Sequence, residues 1–312
     1  CDLDITQLTA YHIGFVIGPC LNASGRLQTA KLALEMLLCE DETQAQEMAV
    51  QLKELNEERK NMTQKGVEEA LSLVEEQYEN DSVLVVYLPD CHESLAGIIA
   101  GRVREAWNRP SFVLTRSAEE ADSQDGEETV LMAKGSGRSI EAYHMYQGLC
   151  GVQDLLVKFG GHPMAAGFSL READIEEFRR RLNEQADLKP EDFVRKIWID
   201  VPMPLEYISE GLIEELKQLE PFGQGNEKPQ FAQKNLLIRS SRVLGRNRNA
   251  VKLSLVTEQG YSMEGMLFTE GDRFMEELGS QKHIDVIYYP DVNEYNGNRT
   301  LQIVVREYKL HP

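Results

Sequence analysis

"SVLVVYLP" (Ser82–Pro89), followed by "SLAGIIAGRVREAW" (Ser94–Trp107) and "SFVLT" (Ser111–Thr115), decides the fold class of the first part of the chain. The opening run is β-branched and of buried-strand length, the middle segment has helical periodicity, and the last is strand-like again. Strand, helix and strand within about 30 residues make a βαβ unit, whose crossover implies a parallel strand pair with a right-handed connection. Gly97 and Gly101, four positions apart, would let the helix approach its neighbour closely.

Upstream, from Arg26 to about Tyr78, apolar residues recur near helical spacing (Leu27, Leu34, Leu37, Leu38, then Met48, Leu52, Leu55). That pattern predicts two long helices, or one that kinks near Glu40–Thr43. Downstream, "SAEEADSQDGEE" (Ser117–Glu128) reads as an exposed acidic loop. A strand is expected around Thr129–Lys134, a short helix near Tyr143–Cys150 and an amphipathic helix over Glu172–Gln185. The stretch Ala186–Asp192 reads as a linker. Beyond it, strand-like segments recur at Arg195–Val201, Phe231–Leu244, Val251–Val256, Ser262–Phe268, Ile284–Tyr289 and Thr300–Tyr308, interrupted by one helix over Ser209–Leu219. Short strands in that number suit a small Greek-key barrel of OB type better than a sandwich.

The chain of 312 residues carries 52 acidic and 33 basic side chains, a net charge of −19, which on its own disfavours a nucleic-acid binder. The distribution tells otherwise, because Lys228–Thr257 holds seven Lys/Arg and no Asp or Glu. Five cysteines (Cys1, Cys20, Cys39, Cys91, Cys150) lie far apart without a CxxC, which argues against a disulfide framework or zinc knuckle and for reduced thiols in the cytoplasm. Apolar runs fall well short of the roughly 18 residues that span a membrane. The acidic start lacks the basic region of a signal peptide, and the missing initiator Met reads as a fragment.

Three Gly-rich elements could carry chemistry. In "KGSGRSI" (Lys134–Ile140), Gly135 and Gly137 would turn the backbone sharply and expose N–H groups, while the Ser136 hydroxyl and the Arg138 fork suit a phosphate or carboxylate. The plain alternative is a β-turn with a surface arginine. In "KFGGHPMAAGFSL" (Lys158–Leu170), Gly160 and Gly161 would clear a path to the backbone and His162 would add a donor responsive near neutral pH. In "GPCLNASGRL" (Gly18–Leu27), Gly18 and Pro19 break the chain, and Asn22, Ser24 or Gly25 could cap a helix that begins at Arg26. A cation there opposes the helix dipole, so Arg26 is expected to reach an anion. His92 and Glu93 are adjacent without a His-Glu-x-x-His, and Ser94 reads as an N-cap. No metal-ligand spacing, Walker loop or GxSxG elbow is present in the sequence. In the barrel, Arg239, Arg242, Arg246, Arg248 and Lys252 interleave with strand residues, and Phe231, Tyr261 and Phe268 supply stacking faces, as in OB folds that hold single strands. The alternative is a set of solvated strand edges kept basic against aggregation.

Taken together, "GPCLNASGRL", "AGIIAGRVREAWNRPSFVL", "KGSGRSI", "VKFGGHPMAAGFSL", "EPFGQGNEKPQF" and "NEYNGNRTLQIVV" resemble, in order and spacing, the RecJ family of the DHH phosphoesterase superfamily. The resemblance covers essentially the whole chain. It implies a helical connector over residues 1–80, an α/β DHH-associated substrate-binding domain with a mixed sheet over 81–190, and an OB-type β-barrel that binds nucleic acid over 191–312. It also implies a single-stranded-DNA-specific 5′ to 3′ exonuclease of recombination and repair. Its Mn2+ or Mg2+ would sit in a DHH domain that nothing here matches, so the chain itself holds no metal and is expected to be inactive alone.

By the same resemblance, Arg26, Ser136, Gly137 and Arg138 match a pocket for the 5′-terminal phosphate, and His92 joins the substrate-binding set. Gly160, Gly161 and His162 match a loop facing the scissile region, with His162 as the catalytic candidate. Single-stranded DNA is the implied partner, with single-strand-binding protein or a helicase as protein partners and no membrane. Cys20 and Cys91 depart from the family pattern, standing where Arg and Trp are more usual. Two other classes stay open: a single-strand or partner-binding module without catalysis, and an enzyme on oligoribonucleotides or cyclic dinucleotides.

Overall fold

The computed structural model describes residues 1, 3–117, 130–295 and 297–312. The expected acidic loop therefore lies outside the described residues except for Ser117. The chain divides into two compact units, Cys1–Arg195 and Lys196–Pro312.

The first unit starts with helices α1 (Gly18–Leu27), α2 (Lys31–Leu38) and α3 (Glu42–Leu73). The break before α3 falls where the sequence places it, and Asp41 caps the new helix by accepting the Gln44 N–H at 2.8 Å. The stretch "GPCLNASGRL" does not break the chain: a π-helical stretch over His12–Ile17 runs straight into it, and it forms α1, with Pro19 inside a continuous helix. Arg26 accordingly lies in the last turn of α1 rather than at a helix start. There a cation complements the dipole, so the dipole gives no reason for an anion partner.

A mixed sheet follows, built from β1 (Leu84–Tyr87), β2 (Ser111–Arg116), β3 (Met132–Arg138), β4 (Leu156–Gly161) and β5 (Ala165–Arg171) in the order β1-β2-β3-β5-β4. Strands β1 and β2 are parallel and joined by helix α4 (Ala96–Trp107), as the βαβ reading requires. The other pairings are antiparallel. Both faces of β1 and β2 are covered. Leu84, Val86 and Val113 pack with Ala70, Val74, Ile99 and Val103 of the α3/α4 layer. Val83, Val85, Phe112 and Leu114 pack on the other face with Leu149 of α5 (Met145–Cys150) and Phe178 and Leu182 of α6 (Ile175–Gln185). On that side Phe112, Phe168 and Phe178 form an aromatic cluster with centroids 4.9–5.6 Å apart.

The second unit is a closed five-stranded barrel of OB topology. Strands β7 (Phe231–Leu244), β8 (Ala250–Val256) and β9 (Ser262–Leu267) form a meander. Strands β10 (His283–Tyr295) and β11 (Asn298–His311) form a hairpin, β11 running parallel to β9 while β10 closes on β7. Inward residues such as Val251, Leu253, Leu255, Ile284, Val286, Ile303 and Val305 fill the core. Helix α8 (Gly271–Leu278), absent from the sequence reading, joins β9 to β10 and buries Phe274 and Leu278 in that core. The strand expected over Arg195–Val201 shrinks to β6 (Val201–Pro202), and Pro202 and Pro204, which have no N–H to give a ladder, keep it from extending further. Helix α7 (Glu210–Lys217) begins at a Ser209 cap as expected.

Candidate functional site

Lys134, Ser136 and Arg138 alternate along β3 and stand opposite Thr115, Val113 and Ser111 of β2, so all three point to the α4 face of the sheet. Helix α4 crosses them at Gly97, where a Cβ would come within 2.8 Å of Arg138 Nη2 and 2.9 Å of Ser136 Oγ. The close approach expected of this helix is therefore real, and what it accommodates is the pair Ser136–Arg138. Arg138 Nη1 donates to the Gly137 carbonyl at 2.8 Å and to Ser136 Oγ at 3.2 Å, which fixes the guanidinium beside the hydroxyl.

The turn expected in "KGSGRSI" is not there. Strand β3 lies between β2 and β5, and their ladders take its backbone N–H groups. Gly135 and Gly137 face the opposite layer, where a Cβ would meet the Phe168 ring at 2.2 Å in the first case, and Met145 Sδ at 2.7 Å and the Phe112 ring at 2.8 Å in the second. Gly137 thus gives room to the core and offers a ligand no N–H. The site is made of side chains presented by a rigid strand.

Two further arginines come from the helical layer. Arg26 Nη1 donates to the Ser94 carbonyl at 3.0 Å, which ties α1 to the turn preceding α4. Arg59 of α3 donates through Nε and Nη2 to Asn56 Oδ1 at 3.2 and 3.0 Å. Asn56 is only 4% exposed, and its Nδ2 donates to Cys20 Sγ at 3.5 Å. The Arg138 pKa is lowered by burial first and then by the Arg26 charge, and the same two causes lead for Arg59. Among the described residues, no carboxylate stands within ion-pair distance of Arg26, Arg59 or Arg138. Sequence reasoning missed Arg59, because a lone arginine on a Glu- and Lys-rich helix looks like any solvated side chain. Its one sequence signal was Asn56 three residues earlier, a polar residue in register with the buried Leu52 and Leu55.

The "GGHP" stretch is the end of a hairpin. Gly160 pairs with Gly167 and Gly161 with Ala166, and the His162 N–H donates to the Ala165 carbonyl at 2.8 Å. The turn is pinned from outside by Ser139 N–H to the Met164 carbonyl and Met145 N–H to the Pro163 carbonyl, both at 2.9 Å. The two glycines differ. A Cβ on Gly161 would sit 2.6 Å from the Ala165 carbonyl oxygen, so the hairpin itself demands glycine there, whereas at Gly160 nothing lies within 4 Å. Across β3, β5 and β4 the registers align Ser136 with Gly167 and Gly160, and Lys134 with Ser169 and Lys158. Gly160, Gly167, Lys158 and His162 are exposed, so this part of the sheet's α4 face forms an open floor.

A recess of about 340 Å³ lies where that floor meets the turn before α4, touched by Ser94, Lys134, Ser136, Lys158 and Ser169 among others. His92 does not touch the recess but caps the turn that carries Ser94: its Nδ1 accepts the Ser94 N–H at 3.3 Å and lies 2.8 Å from Ser94 Oγ. Ser94, expected as the N-cap, lies inside the 3-10 turn that His92 caps.

On the barrel, the basic set divides. Arg248 is paired with Asp272, its Nε donating to Oδ2 at 2.7 Å, and Lys252 with Glu264 at 2.7 Å. Arg239, Arg242 and Arg246 are exposed and have no ion-pair partner among the described residues. A stack missed in the sequence stands elsewhere on this unit, with Lys228 Nζ 3.5 Å and the Arg306 guanidinium 4.9 Å from the Tyr289 ring centroid.

All five cysteines are unpaired. Among the described residues no helix is long and apolar enough to cross a membrane. Nor does any group of three His, Cys, Asp or Glu side chains among them have a placement that could hold a metal ion, so the described residues do not fit a divalent-ion site.

Comparison with known proteins accounts for both units. Family models described as DHHA1 domain and RecJ OB domain match residues 80–187 and 199–307. The single-stranded-DNA-specific exonuclease RecJ of Bacillus subtilis is 32% identical over 97% of the chain and 37% of its own length. The Escherichia coli protein of that name is also 32% identical, over 97% of the chain and 52% of its own length. The chain thus spans between about a third and a half of these relatives. Crystal structures of Thermus thermophilus RecJ with Mg2+ and with Mn2+ superpose with TM-scores of 0.78 and 0.79 at 27% identity, covering 97% and 96% of the chain and 44% and 42% of theirs. With a DHHA1 domain followed by a RecJ OB domain, the chain belongs to the RecJ family.

Proposed function

We propose that this chain is the substrate-positioning part of a single-stranded-DNA-specific 5′ to 3′ exonuclease. Ser136 and Arg138, with Arg26 and Arg59, hold the 5′-terminal phosphate. The open floor at Gly160, with His162 at its end, faces the scissile phosphodiester, and Arg239, Arg242 and Arg246 hold the strand on the barrel. Residues 1–80 serve as the helical connector, 81–190 as the substrate-binding domain and 191–312 as the nucleic-acid-binding domain.

One observation carries this reading. In a chain of net charge −19, Arg26, Arg59 and Arg138 have no carboxylate at ion-pair distance among the described residues, and Arg59 and Arg138 are depressed by burial and by the Arg26 charge. An anion relieves that repulsion, and a terminal phosphate with a charge of about −1.5 to −2 relieves it better than a singly charged diester. The relatives' structures contain Mg2+ or Mn2+. No ligand set for such an ion exists among the described residues, so every role assigned here is one of binding and orientation.

On this reading the chain binds single strands and does not cleave them. A nuclease assay on the chain with Mn2+ tests the division of labour: no cleavage is expected, and robust cleavage would place the chemistry here. Arg138→Ala in a longer protein that cleaves should lower activity on 5′-phosphorylated ends more than on 5′-hydroxyl ends. Equal losses would leave a general single-strand-binding module.

A further inference from the structure

We propose that Lys158, with Ser169 beside it, forms a second phosphate subsite that takes an internal phosphodiester of the strand whose 5′ end lies at Ser136 and Arg138. The proposal rests on the reading of Ser136 and Arg138 as the terminal-phosphate site.

The first argument is continuity. A single recess of about 340 Å³ is touched by Ser136, Lys158 and Ser169 alike. In the sheet register Gly167 and Gly160 lie beside Ser136 on the way to Lys158, both exposed, and a Cβ at Gly160 would meet no atom within 4 Å. A strand leaving Ser136 across Gly167 and Gly160 comes next to the row Lys134–Ser169–Lys158.

The second argument is charge. Lys134, in the same row, is held by Glu93 at 3.1 Å, so much of its charge is answered within the protein. Lys158 has no carboxylate at ion-pair distance among the described residues. It is therefore the cation of this row left to a ligand, and Glu93, bound to Lys134, is kept from opposing it.

The third argument is distance. One row along β3 is about 6.7 Å and two strands across are about 9.6 Å, which places the Lys158 Cα about 12 Å from that of Ser136. That is roughly three nucleotides of a stacked strand, and fewer of an extended one. The phosphate at Lys158 is therefore one beyond the first diester, and the floor between remains free for the scissile bond facing His162.

The test is binding of fluorescent single strands to the chain by anisotropy across a salt series, with 5′-phosphorylated and 5′-hydroxyl ends. A lost contact to a single-stranded phosphate makes the slope of log K against log salt shallower by about 0.7. Lys158→Ala should produce that change and weaken both kinds of end equally. Lys158→Arg should restore the slope, and a phosphorylated dinucleotide, too short to reach, should bind both variants as it binds the parent. An unchanged slope and affinity in Lys158→Ala, while Arg138→Ala removes the preference for phosphorylated ends, would overturn the subsite and leave the terminal site standing. If Arg138→Ala leaves the preference intact, the terminal site falls and the subsite with it.

Discussion

Gly97 lies over Ser136 so closely that a Cβ on it would come within 2.9 Å of the serine oxygen and 2.8 Å of Arg138 Nη2. Both atoms are ends of side chains, so they would move while the backbone stays. In the first turn of α4, where Gly97 stands, alanine is also favoured over glycine, by up to about 1 kcal/mol. Gly97→Ala should therefore keep or raise the melting temperature and yet lose about ten- to thirtyfold of the preference for 5′-phosphorylated strands, near the lower end of the roughly 1.5–3 kcal/mol range of charge-assisted hydrogen bonds. Calorimetry and binding on the same sample separate the two effects, and a fall in stability with unchanged end preference would contradict the placement.

Arg59 makes a separate prediction. Sulfate should stabilise the chain, because a ligand that binds the folded state adds stability as its concentration passes its dissociation constant, about 2.7 kcal/mol at a hundredfold excess. Arg59→Ala should lower the baseline melting temperature, since the buried Asn56 carbonyl loses both donors. The distinguishing sign is that the sulfate increment also shrinks. A lower baseline with a full increment would make Arg59 structural only.

On the barrel the ion pairs decide which cations a strand meets. Arg242→Ala should make the salt slope of single-strand binding shallower by about 0.7, the share of one phosphate contact. Arg248, already bound to Asp272, should change it little when replaced by alanine. The reverse ranking would mean that DNA breaks the Arg248 pair.

Tyr143 is 8% exposed, and its hydroxyl has no hydrogen-bond partner among the described residues. Burial pushes its pKa up to about 12. A phenol raised above its unfolded value of about 10 contributes stability that is whole below pH 10 and is lost as pH rises through 12. Tyr143→Phe should flatten that alkaline loss and leave stability near neutral pH unchanged or raised, because a buried hydroxyl without a partner costs about 1–3 kcal/mol. Urea titrations at neutral and alkaline pH check both limbs.

These residues also mark what a sequence discloses. The βαβ unit was legible because the hydrophobic period switches from two to helical and back within one stretch, and the long barrel strands were legible because they alternate. The strand nature of "KGSGRSI" was not, since its glycines are set by Phe168, Phe112 and Met145, which lie elsewhere in the sequence. Helix α8 escaped because it is eight residues long and flanked by glycines, although Phe274 and Leu278 stood four apart. Ser136 and Arg138 could be picked out as a pair chemically suited to an anion. Their meeting with Arg26 and Arg59 depends on how α1, α3 and α4 pack, which no local pattern records.

The central claim is that the arginine cluster reads a strand's 5′ end, and binding of one oligonucleotide with either end tests it most directly. The chain should prefer the 5′-phosphorylated form by about ten- to a hundredfold, the worth of charge-assisted hydrogen bonds to a phosphate, and Arg138→Ala should erase most of that preference. Equal affinity of the unaltered chain for the phosphate and hydroxyl ends would contradict the account.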